Sequence, residues 1–344
     1  MKPNQLFEHL IAEKNLDTAQ MQEVIHACMT GQLNDTQIAA FLALMRMKGE
    51  TTEELTAAAE VMRQLAHPLD LGEQLIDIVG TGGDGKNTFN VSTACSFVVA
   101  ATGITVAKHG NRSVSSRSGS ADLLEQAGFI LNLTDEQIQT CIKQCNLAFL
   151  FAPHYHPAMQ YARTARQQLG IRTLFNLLGP LINPARVKKQ VVGVFSQTWQ
   201  KPLATVLANL GSDRSLVISS LDGLDEISIC APTRVVEYQQ GVFNEWEIDP
   251  KDYGIHHPNL NAIIVDSPQQ SLEFIELALS GTPGPARDMV VLNSAAAIYC
   301  AKDNLSFNSA VEIAKAALDN GKAAECFTRL RSLTQTLNKE SNHE

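Results

Sequence analysis

Apolar residues recur every three or four positions in four segments between residues 3 and 66. This period is typical of amphipathic helices that bury one face. Helix-start residues precede three of the segments, namely Asp17, Asp35, and Thr51, which forms a capping box with Glu54. No β-like run separates the segments, so the sequence predicts a helical N-terminal subdomain.

From residue 75 the pattern changes to short apolar, β-branched runs that alternate with helical segments. LIDIVG (75–80), VSTACSFVVAATG (91–103) and ITVAKHG (104–110) predict a strand, a helix and a second strand. Further predicted strands cover 190–195, 214–220, 234–238 and 262–265, and further helices cover 203–211 and 309–321. We therefore predict an α/β fold class, with a small N-terminal helical domain beside a larger α/β domain that has a central, mostly parallel sheet.

One segment interrupts this alternation. Residues 157–184 predict a helix followed by a loop rich in Pro and Gly, and we expect this segment to return to the N-terminal helices. The predicted helical domain is therefore 1–72 together with 160–187. The predicted α/β domain is 73–159 together with 188–344.

Composition and charge argue against several classes of protein. The formal charge is −9 and the pI is near 5.5, which argues against nucleic-acid binding, because that function requires a basic surface. The apolar runs are far shorter than the ~20 residues that a membrane span needs. The N-terminus lacks the apolar core of a signal peptide, and seven scattered cysteines suggest no disulfide framework. We expect a cytoplasmic protein without a membrane or nucleic-acid partner.

The stretch GTGGDGKNTFNVSTA (80–94) matches both the GxGxxG and the GxxxxGK patterns. A dinucleotide site requires an acidic residue at the end of the second strand, where this chain has Lys108. A nucleotide triphosphate loop requires Ser or Thr after the lysine, and Asn87 stands there after Lys86. Neither pattern therefore applies in full.

Both patterns depend on the same physical basis for anion binding, and that basis still applies to this loop. Glycines allow backbone N–H groups to approach an anion, and a helix N-terminus adds a favourable dipole. Asn90, Ser92 and Thr93 occupy the predicted cap and first turn, while Asp84 is suited to a sugar hydroxyl or a bridging water. The loop predicts a sugar phosphate site, and a plain strand-to-helix turn is the alternative interpretation.

Two further stretches follow predicted strands. KHGNRSVSSRSGSAD (108–122) concentrates cations and hydroxyls, at the strand edge where α/β sheets bind ligands. LDGLDEIS (221–228) supplies Asp222, Asp225 and Glu226, and carboxylates of this kind bind Mg²⁺ together with substrate phosphates. A solvated loop and an ordinary acidic loop are the respective alternatives.

Taken together, these motifs resemble the anthranilate phosphoribosyltransferase family almost from end to end. The resemblance rests on GTGGDG with FNVSTA, KHGNRS with SSRSGSAD, HPAM, GIRTLFNLLGPLINP, DGLDE, APTRVVEY and GPARDMVVLN. It implies transfer of the phosphoribosyl group of phosphoribosyl pyrophosphate to the amine of anthranilate, in tryptophan biosynthesis. It also implies a nucleoside-phosphorylase-like fold, a Mg²⁺ cofactor, and a homodimer formed through the helical domain.

The resemblance also implies site residues. It places Gly80, Gly83, Asp84, Thr88, Asn90, Ser92, Thr93, Lys108 and Ser120 around phosphoribosyl pyrophosphate. Asn111 and Arg166 meet anthranilate, with Arg163 and Arg172 as rivals to Arg166 on the same segment. The substrate-binding set further includes Val91, His109, Gly110, Arg112 and Ser113, and Mg²⁺ is assigned to Ser92, Asp225 and Glu226. This chain has Ser219 and Ser220 where the family usually has a His-Gly pair, and Ser294 with Ala295 where it usually has Ala-Gly.

The implied chemistry requires no acid/base residue, because a neutral arylamine already carries its lone pair. His109 and His156 are therefore expected to line the anthranilate pocket. Cys141 and Cys145 are expected to be buried helix cysteines rather than zinc ligands. A pyrimidine nucleoside phosphorylase is the alternative enzyme, and a non-catalytic relative that binds nucleic acid or a partner is the alternative of another class.

Overall fold

The computed structural model describes residues 2–112 and 119–341. Four helices open the chain: α1 Pro3–Ile11, α2 Thr18–Met29, α3 Asp35–Lys48 and α4 Thr52–Leu65. Asp17 caps α2, and Thr51 with Glu54 forms the predicted capping box of α4. The cap of α3 is Asn34, so Asp35 lies inside the first turn rather than before the helix. The predicted helical N-terminal unit is confirmed.

In the described ranges, seven strands form one sheet in the order β3-β2-β1-β4-β5-β6-β7. The strands are β1 Leu75–Gly80, β2 Thr105–Gly110, β3 Leu147–Phe151, β4 Lys189–Gly193, β5 Arg214–Ser220, β6 Thr233–Gln239 and β7 Val242–Ile248. Strands β1 to β5 are parallel, and β6 and β7 add an antiparallel edge. The predicted fold class, with its mostly parallel sheet, is confirmed.

The remaining helices follow in chain order. They are α5 Val91–Ala101, α6 Ser120–Gln126, α7 Asp135–Cys145, α8 Ala152–Tyr155, α9 Gln160–Leu169, α10 Leu174–Leu178, α11 Gln200–Asn209, α12 Pro268–Leu279, α13 Pro285–Ala301, α14 Phe307–Asp319 and α15 Lys322–Ser341. Helix α13 is buried along most of its length and contacts α5, α12, α14 and the sheet. It forms the centre of the core on one face of the sheet.

A second core lies on the opposite face. Helices α9 and α10 contact α2, α3 and α4 there, and Ala162, Ala165 and Leu178 are fully buried among them. This core also includes Val192 and Val217 from the sheet, so the apolar contacts run without a break from the helices to the sheet. Because the two predicted domains share this core, their boundaries at 72 and 187 stay a prediction.

Three strand assignments differ from the sequence prediction. Residues 262–265, predicted as a strand, contain a short 3₁₀ turn at Asn261–Ile263 and a single bridge between Ile264 and Thr88. Their backbone bonds to the end of the glycine loop instead of joining the sheet. Strands β3 and β7 were not predicted, because β3 is a brief uniformly apolar run and β7 is a largely exposed edge strand.

Within the described residues, no helix combines the length and the apolar character that a membrane span requires.

The topology brings the predicted functional loops together. Strand β1 lies between β2 and β4, so the chain leaves β1 toward one side of the sheet and returns on the other. Such a reversal opens a crevice at the carboxyl ends of the strands, where α/β proteins bind ligands. The loops after β1, β2, β4 and β5 all begin at this edge.

Candidate functional site

The glycine loop joins Gly80 to the N-terminus of α5. Its backbone is left-handed at Gly82, Gly83 and Gly85, which explains why glycine occupies these positions. Two hydrogen bonds attach the end of the loop to the 3₁₀ segment, from the N–H of Phe89 to the carbonyl of Ile263 and from Val265 to Asn87. Thr88 lies between them and forms the bridge to Ile264. These three contacts hold the end of the loop that leads into α5.

Asn90 is the cap residue of α5, as predicted, but its side chain does not bond to the helix. The Ser271 hydroxyl of α12 donates to Asn90 Oδ1 at 2.8 Å and accepts from the Asn90 N–H at 3.0 Å. Thr93 Oγ1 is buried and has no hydrogen-bond partner among the described residues. Val91 is fully buried in the core, so its side chain packs instead of facing a ligand. In the first turn of α5 the Val91 N–H already bonds to the Phe89 carbonyl, and the side-chain donors of this turn are the hydroxyls of Ser92 and Thr93.

The acidic loop lies directly over the ends of β1 and β4. Asp225 Oδ2 accepts a hydrogen bond from the N–H of Gly82 at 2.9 Å. Gly80 and Gly193 are paired neighbours in the two strands, and both make room for Asp225. A Cβ on Gly193 would lie 1.5 Å from the Asp225 carbonyl oxygen, and a Cβ on Gly80 would lie 2.7 Å from Asp225 Oδ2. Gly193 was not predicted, because a glycine inside an apolar strand gives no sign of what crosses it.

Burial and mutual repulsion raise the pKa of the carboxyl groups. Burial, followed by the charge of Asp84, raises the pKa of Asp225 to about 7. The pKa of Glu226 lies well above its usual range because of burial and then the charges of Asp225 and Asp84. Burial also raises the pKa of Asp84. The carboxyl groups repel one another when ionised, and a bound proton or a bound cation relieves this repulsion.

The donor set fits a hard divalent cation. Glu226 Oε2 is buried without a partner among the described residues, while the Ser92 N–H bonds to the same carboxyl group. Within residues 2–112 and 119–341, no group of three or more His, Cys, Asp or Glu side chains can hold a metal. Two carboxylates completed by substrate phosphates and water match the way in which proteins bind Mg²⁺.

Asp222, the third carboxylate of this loop, has a different role. It accepts from the Ser228 hydroxyl at 2.6 Å and bonds to the Leu224 N–H, so it braces the loop internally. Ser220, part of the serine pair that departs from the family pattern, donates its hydroxyl to the Pro232 carbonyl and closes the base of the same loop.

Lys108 links β1 to the first turn of α5. It is buried, and its Nζ donates to the carbonyl of Ile78 at 2.7 Å and to Ser92 Oγ at 3.2 Å. Burial lowers the pKa of Lys108, while the charges of Asp77 and Glu226 raise it. Since Ser92 accepts from Lys108, the hydroxyl proton of Ser92 is available to a ligand. The structure thus joins two residues that the sequence separates by 16 positions.

A buried network supports the end of β2. Asp77 accepts from the His109 N–H at 3.2 Å and from Asn183 Nδ2 at 2.8 Å, and burial raises its pKa to about 6. The rings of His109 and His156 lie 5.3 Å apart. Burial lowers the pKa of His109 to about 3 and that of His156 to about 4, so both rings are neutral at pH 7.

The second predicted loop is described only in part, because Ser113 and Arg117 lie outside the described residues. Ser120 Oγ donates to the carbonyl of Asn111 at 3.3 Å. Gly110 is required there, since its Cβ would lie 2.4 Å from Ser120 Oγ and 2.6 Å from the ring of Phe149. The two ends of the loop are therefore close together.

Arg112 is turned toward α6 rather than held ready for a ligand. Its Nη2 pairs with Glu125 Oε1 at 2.5 Å, and its guanidinium stacks on Phe151 with 5.0 Å to the ring centre. The Arg112 side chain is half exposed, and an exposed ion pair contributes little free energy. Arg112 can therefore leave Glu125 for another partner at a low cost in free energy.

The three candidate arginines of the 160–187 segment are now distinguished. Arg163 is exposed on α9. Arg166 is largely covered, stacks on Phe175 at 5.3 Å, and forms no hydrogen bond or ion pair with the described part of the chain. Arg172 Nη1 donates to the Gly83 carbonyl at 3.0 Å and stacks on Phe195 at 4.3 Å. Arg172 therefore contacts the glycine loop, whereas Arg166 keeps its donors available.

Comparison with known proteins gives a consistent result. Residues 4–66 match the helical bundle domain of the glycosyl transferase family, and residues 72–324 match its a/b domain. The anthranilate phosphoribosyltransferase of Legionella pneumophila (strain Lens) is 76% identical over 344 residues, covering 100% of both chains. That of Azotobacter vinelandii is 49% identical over 337 residues, covering 96% of this chain and 97% of the relative.

Solved structures agree with this comparison. The anthranilate phosphoribosyltransferase of Thermus thermophilus is 38% identical and has a TM-score of 0.89, covering 96% of this chain and 99% of that one. The enzyme from Saccharomyces cerevisiae, solved in complex with phosphoribosyl pyrophosphate and Mg, has a TM-score of 0.88 at 24% identity and covers 97% and 98%. At that identity the yeast structure supports the fold.

Proposed function

The chain belongs to the anthranilate phosphoribosyltransferase family, and we propose how the site described above performs that reaction. The phosphoribosyl group of phosphoribosyl pyrophosphate passes to the amine of anthranilate, and pyrophosphate leaves. This is the second step of tryptophan biosynthesis from chorismate. The observation that carries the site assignment is the meeting of a glycine loop, a buried lysine and two buried carboxylates at the reversal point of the sheet.

Phosphoribosyl pyrophosphate is assigned to the crevice between the glycine loop and the acidic loop. The N-terminus of α5 contributes the positive end of its helix dipole to a phosphate, and Ser92, Thr93 and Lys108 add donors and charge. Asp84 is suited to a ribose hydroxyl. These local cations and donors attract an anionic substrate despite the net negative charge of the chain.

Mg²⁺ is assigned to Asp225 and Glu226, with Ser92 beside them. When bound, the ion neutralises charge on the departing pyrophosphate. The protein holds the two carboxylates over Gly80 and Gly193 and fixes Asp225 through the Gly82 N–H. Burial, followed by mutual repulsion, raises the pKa of both carboxyl groups, and a bound cation would favour their ionised forms.

The reaction at C1 of the ribose is a displacement. The lone pair of the anthranilate nitrogen forms the new N–C1 bond, the C1–O bond to pyrophosphate breaks, and the amine gives up one proton to water or to the departing pyrophosphate. Positive charge develops on the ribose as in glycoside hydrolysis. The neutral histidines His109 and His156 shape the pocket without exchanging protons at pH 7. The rate enhancement then comes from positioning and electrostatics.

Anthranilate is assigned to the side of the crevice near α9. Arg166 has donors that no described residue uses, and a guanidinium can bind a carboxylate through two parallel hydrogen bonds. Asn111, at the carboxyl end of β2, completes this side. Arg172 is assigned to the support of the glycine loop, because it already bonds to the Gly83 carbonyl.

The organisation of the whole enzyme follows the same reasoning. We assign residues 1–72 and 160–187 to a helical domain, through which the chain forms a homodimer, and residues 73–159 and 188–344 to the α/β domain. The cytoplasm is the compartment that we propose for the reaction. The buried acidic pair favours the transferase over a pyrimidine nucleoside phosphorylase, because phosphorolysis has no pyrophosphate leaving group for a metal to neutralise.

The decisive experiment follows anthranilate fluorescence after addition of phosphoribosyl pyrophosphate, first with Mg²⁺ and then with a chelator. We expect the signal to decrease only when Mg²⁺ is present. Turnover of a nucleoside with inorganic phosphate, without any loss of anthranilate, would overturn the proposal in favour of the phosphorylase.

A further inference from the structure

Asn293 lies near the middle of α13, on the buried helix behind the acidic loop. Its side chain holds one residue of that loop at both backbone groups. The Ile227 N–H donates to Asn293 Oδ1 at 2.8 Å, and Asn293 Nδ2 donates to the Ile227 carbonyl at 2.9 Å. Asn293 Nδ2 also donates to the Met289 carbonyl, one helical turn earlier, at 2.9 Å.

This pair of bonds has a geometric consequence. Ile227 directly follows Glu226, so its N–H belongs to the peptide group that Glu226 begins. A side chain that accepts from the N–H and donates to the carbonyl of one residue fixes both the position and the rotation of the backbone there. The Glu226 side chain therefore leaves a backbone that cannot turn freely.

Other contacts fix the loop from the opposite side. Asp225 bonds to the Gly82 N–H and lies over Gly193, and Asp222 braces the turn before it. The Asp222 contact and a bond from the Ser228 N–H to Thr233 Oγ1 hold the chain at Ser228, but neither holds Ile227, which directly follows Glu226. Asn293 supplies that constraint, from a helix that is itself packed on all sides.

The residue type supports this role. Asparagine is a poor helix former, and an amide buried to this degree costs free energy unless it is hydrogen bonded. An apolar residue would suit this position in α13 equally well if packing were the only requirement. The amide matches the donor and acceptor of Ile227, which no apolar side chain can do.

We propose that Asn293 is the positioning residue of the Mg²⁺ carboxylates, acting through the backbone of Ile227. This inference rests on the proposed function, because it concerns the metal site of the same reaction. Residues that orient metal ligands typically change metal affinity about 10- to 100-fold when they are replaced. The effect should therefore appear in metal binding itself.

The test variant is Asn293→Ser. Serine in a helix can donate to the carbonyl four residues earlier, which is Met289, so it keeps that bond and loses both bonds to Ile227. Asn293→Ala is the second variant, in case the first folds poorly. The matched control is Gln200→Ser on α11, because Gln200 is also buried and donates to two backbone carbonyls, those of Val217 and Arg234.

The probe is Mn²⁺, titrated into each purified protein with pyrophosphate present and followed by electron paramagnetic resonance. We expect the Mn²⁺ dissociation constant of Asn293→Ser to rise about 10-fold or more, while that of Gln200→Ser stays within twofold of the parent. In turnover, the metal concentration for half-maximal rate should rise by a similar factor, with little change in the KM for anthranilate.

The experiment distinguishes a failure of the Asn293 inference from a failure of the proposed function. If the parent binds Mn²⁺ and both Asn293 variants bind it equally well, the inference is wrong and the proposed function stands. An equal loss in Gln200→Ser would also overturn it, because the effect would then be general destabilisation. A parent that neither binds Mn²⁺ nor consumes anthranilate would remove the proposed function and this inference together.

Discussion

Replacing Gly193 by alanine should disable the site through a steric effect alone. The added Cβ would lie 1.5 Å from the carbonyl oxygen of Asp225 and 2.6 Å from its carbonyl carbon. Ordinary contacts of a Cβ begin near 3.4 Å, so the Asp225 backbone must retreat by about 2 Å. That retreat breaks the Gly82–Asp225 hydrogen bond and moves both metal carboxylates.

The expected loss is large in activity and moderate in stability. A misplacement of about 1 Å at a reacting centre can cost 10²-fold, so we expect kcat/KM to fall at least ~10²-fold. Overpacking in a dense interior costs about 1–3 kcal/mol of unfolding free energy, which a chain of this size tolerates. The assay is anthranilate fluorescence at saturating Mg²⁺, with thermal unfolding measured on the same samples.

Gly211→Ala is the control. Gly211 has a φ of +87° and open space around its Cβ, so alanine there strains the backbone without a clash. It precedes β5, at the opposite edge of the sheet from the site. We expect lower stability with unchanged kcat/KM. If Gly193→Ala retains kcat/KM within threefold of the parent, the steric reasoning about the acidic loop is wrong.

Three other predictions concern the carboxylates, the histidines and the anthranilate side. Replacing both Asp225 and Glu226 by alanine should abolish most Mg²⁺-dependent turnover and preserve the circular dichroism spectrum, and an unchanged rate at limiting Mg²⁺ would refute the metal assignment. The pKa of His156 is lowered by burial to about 4, so the stability that its neutral form contributes is complete above the ordinary histidine pKa near 6.5 and is lost as the pH falls toward 4. His156→Phe should therefore show a smaller decrease in Tm between pH 7 and pH 5 than the parent, and equal decreases would count against this. Arg166→Lys should raise the KM for anthranilate about 10-fold or more with little change in the KM for phosphoribosyl pyrophosphate, because lysine cannot form the paired hydrogen bonds, and a larger effect on the second substrate would reassign Arg166.

Much of the fold was predictable because its signals are local. The period of the apolar residues and the caps at Asp17 and Thr51 indicated the N-terminal helices. The βαβ unit around the glycine loop followed from β-branched runs and from the position of α5. Residues 262–265 gave a wrong prediction, since four apolar residues suit a strand and a loop cover equally well. The edge strand β7 was missed because its exposed side chains carry no strong pattern.

The chemical types of the site were also present in the sequence: glycines after a strand, hydroxyls at a helix start, a lysine, and an Asp-Glu pair. Their arrangement depended on contacts between residues far apart in the chain. The sequence contains no sign that Gly193 lies beneath Asp225 or that Asn293 hydrogen bonds to the backbone of Ile227. It also does not indicate that Arg172, rather than Arg166, donates to the Gly83 carbonyl. Local propensity depends on neighbours within a few positions, whereas the distances that define a site arise when separate strands and helices pack together, which is why residue types could be predicted from the chain and their partners could not.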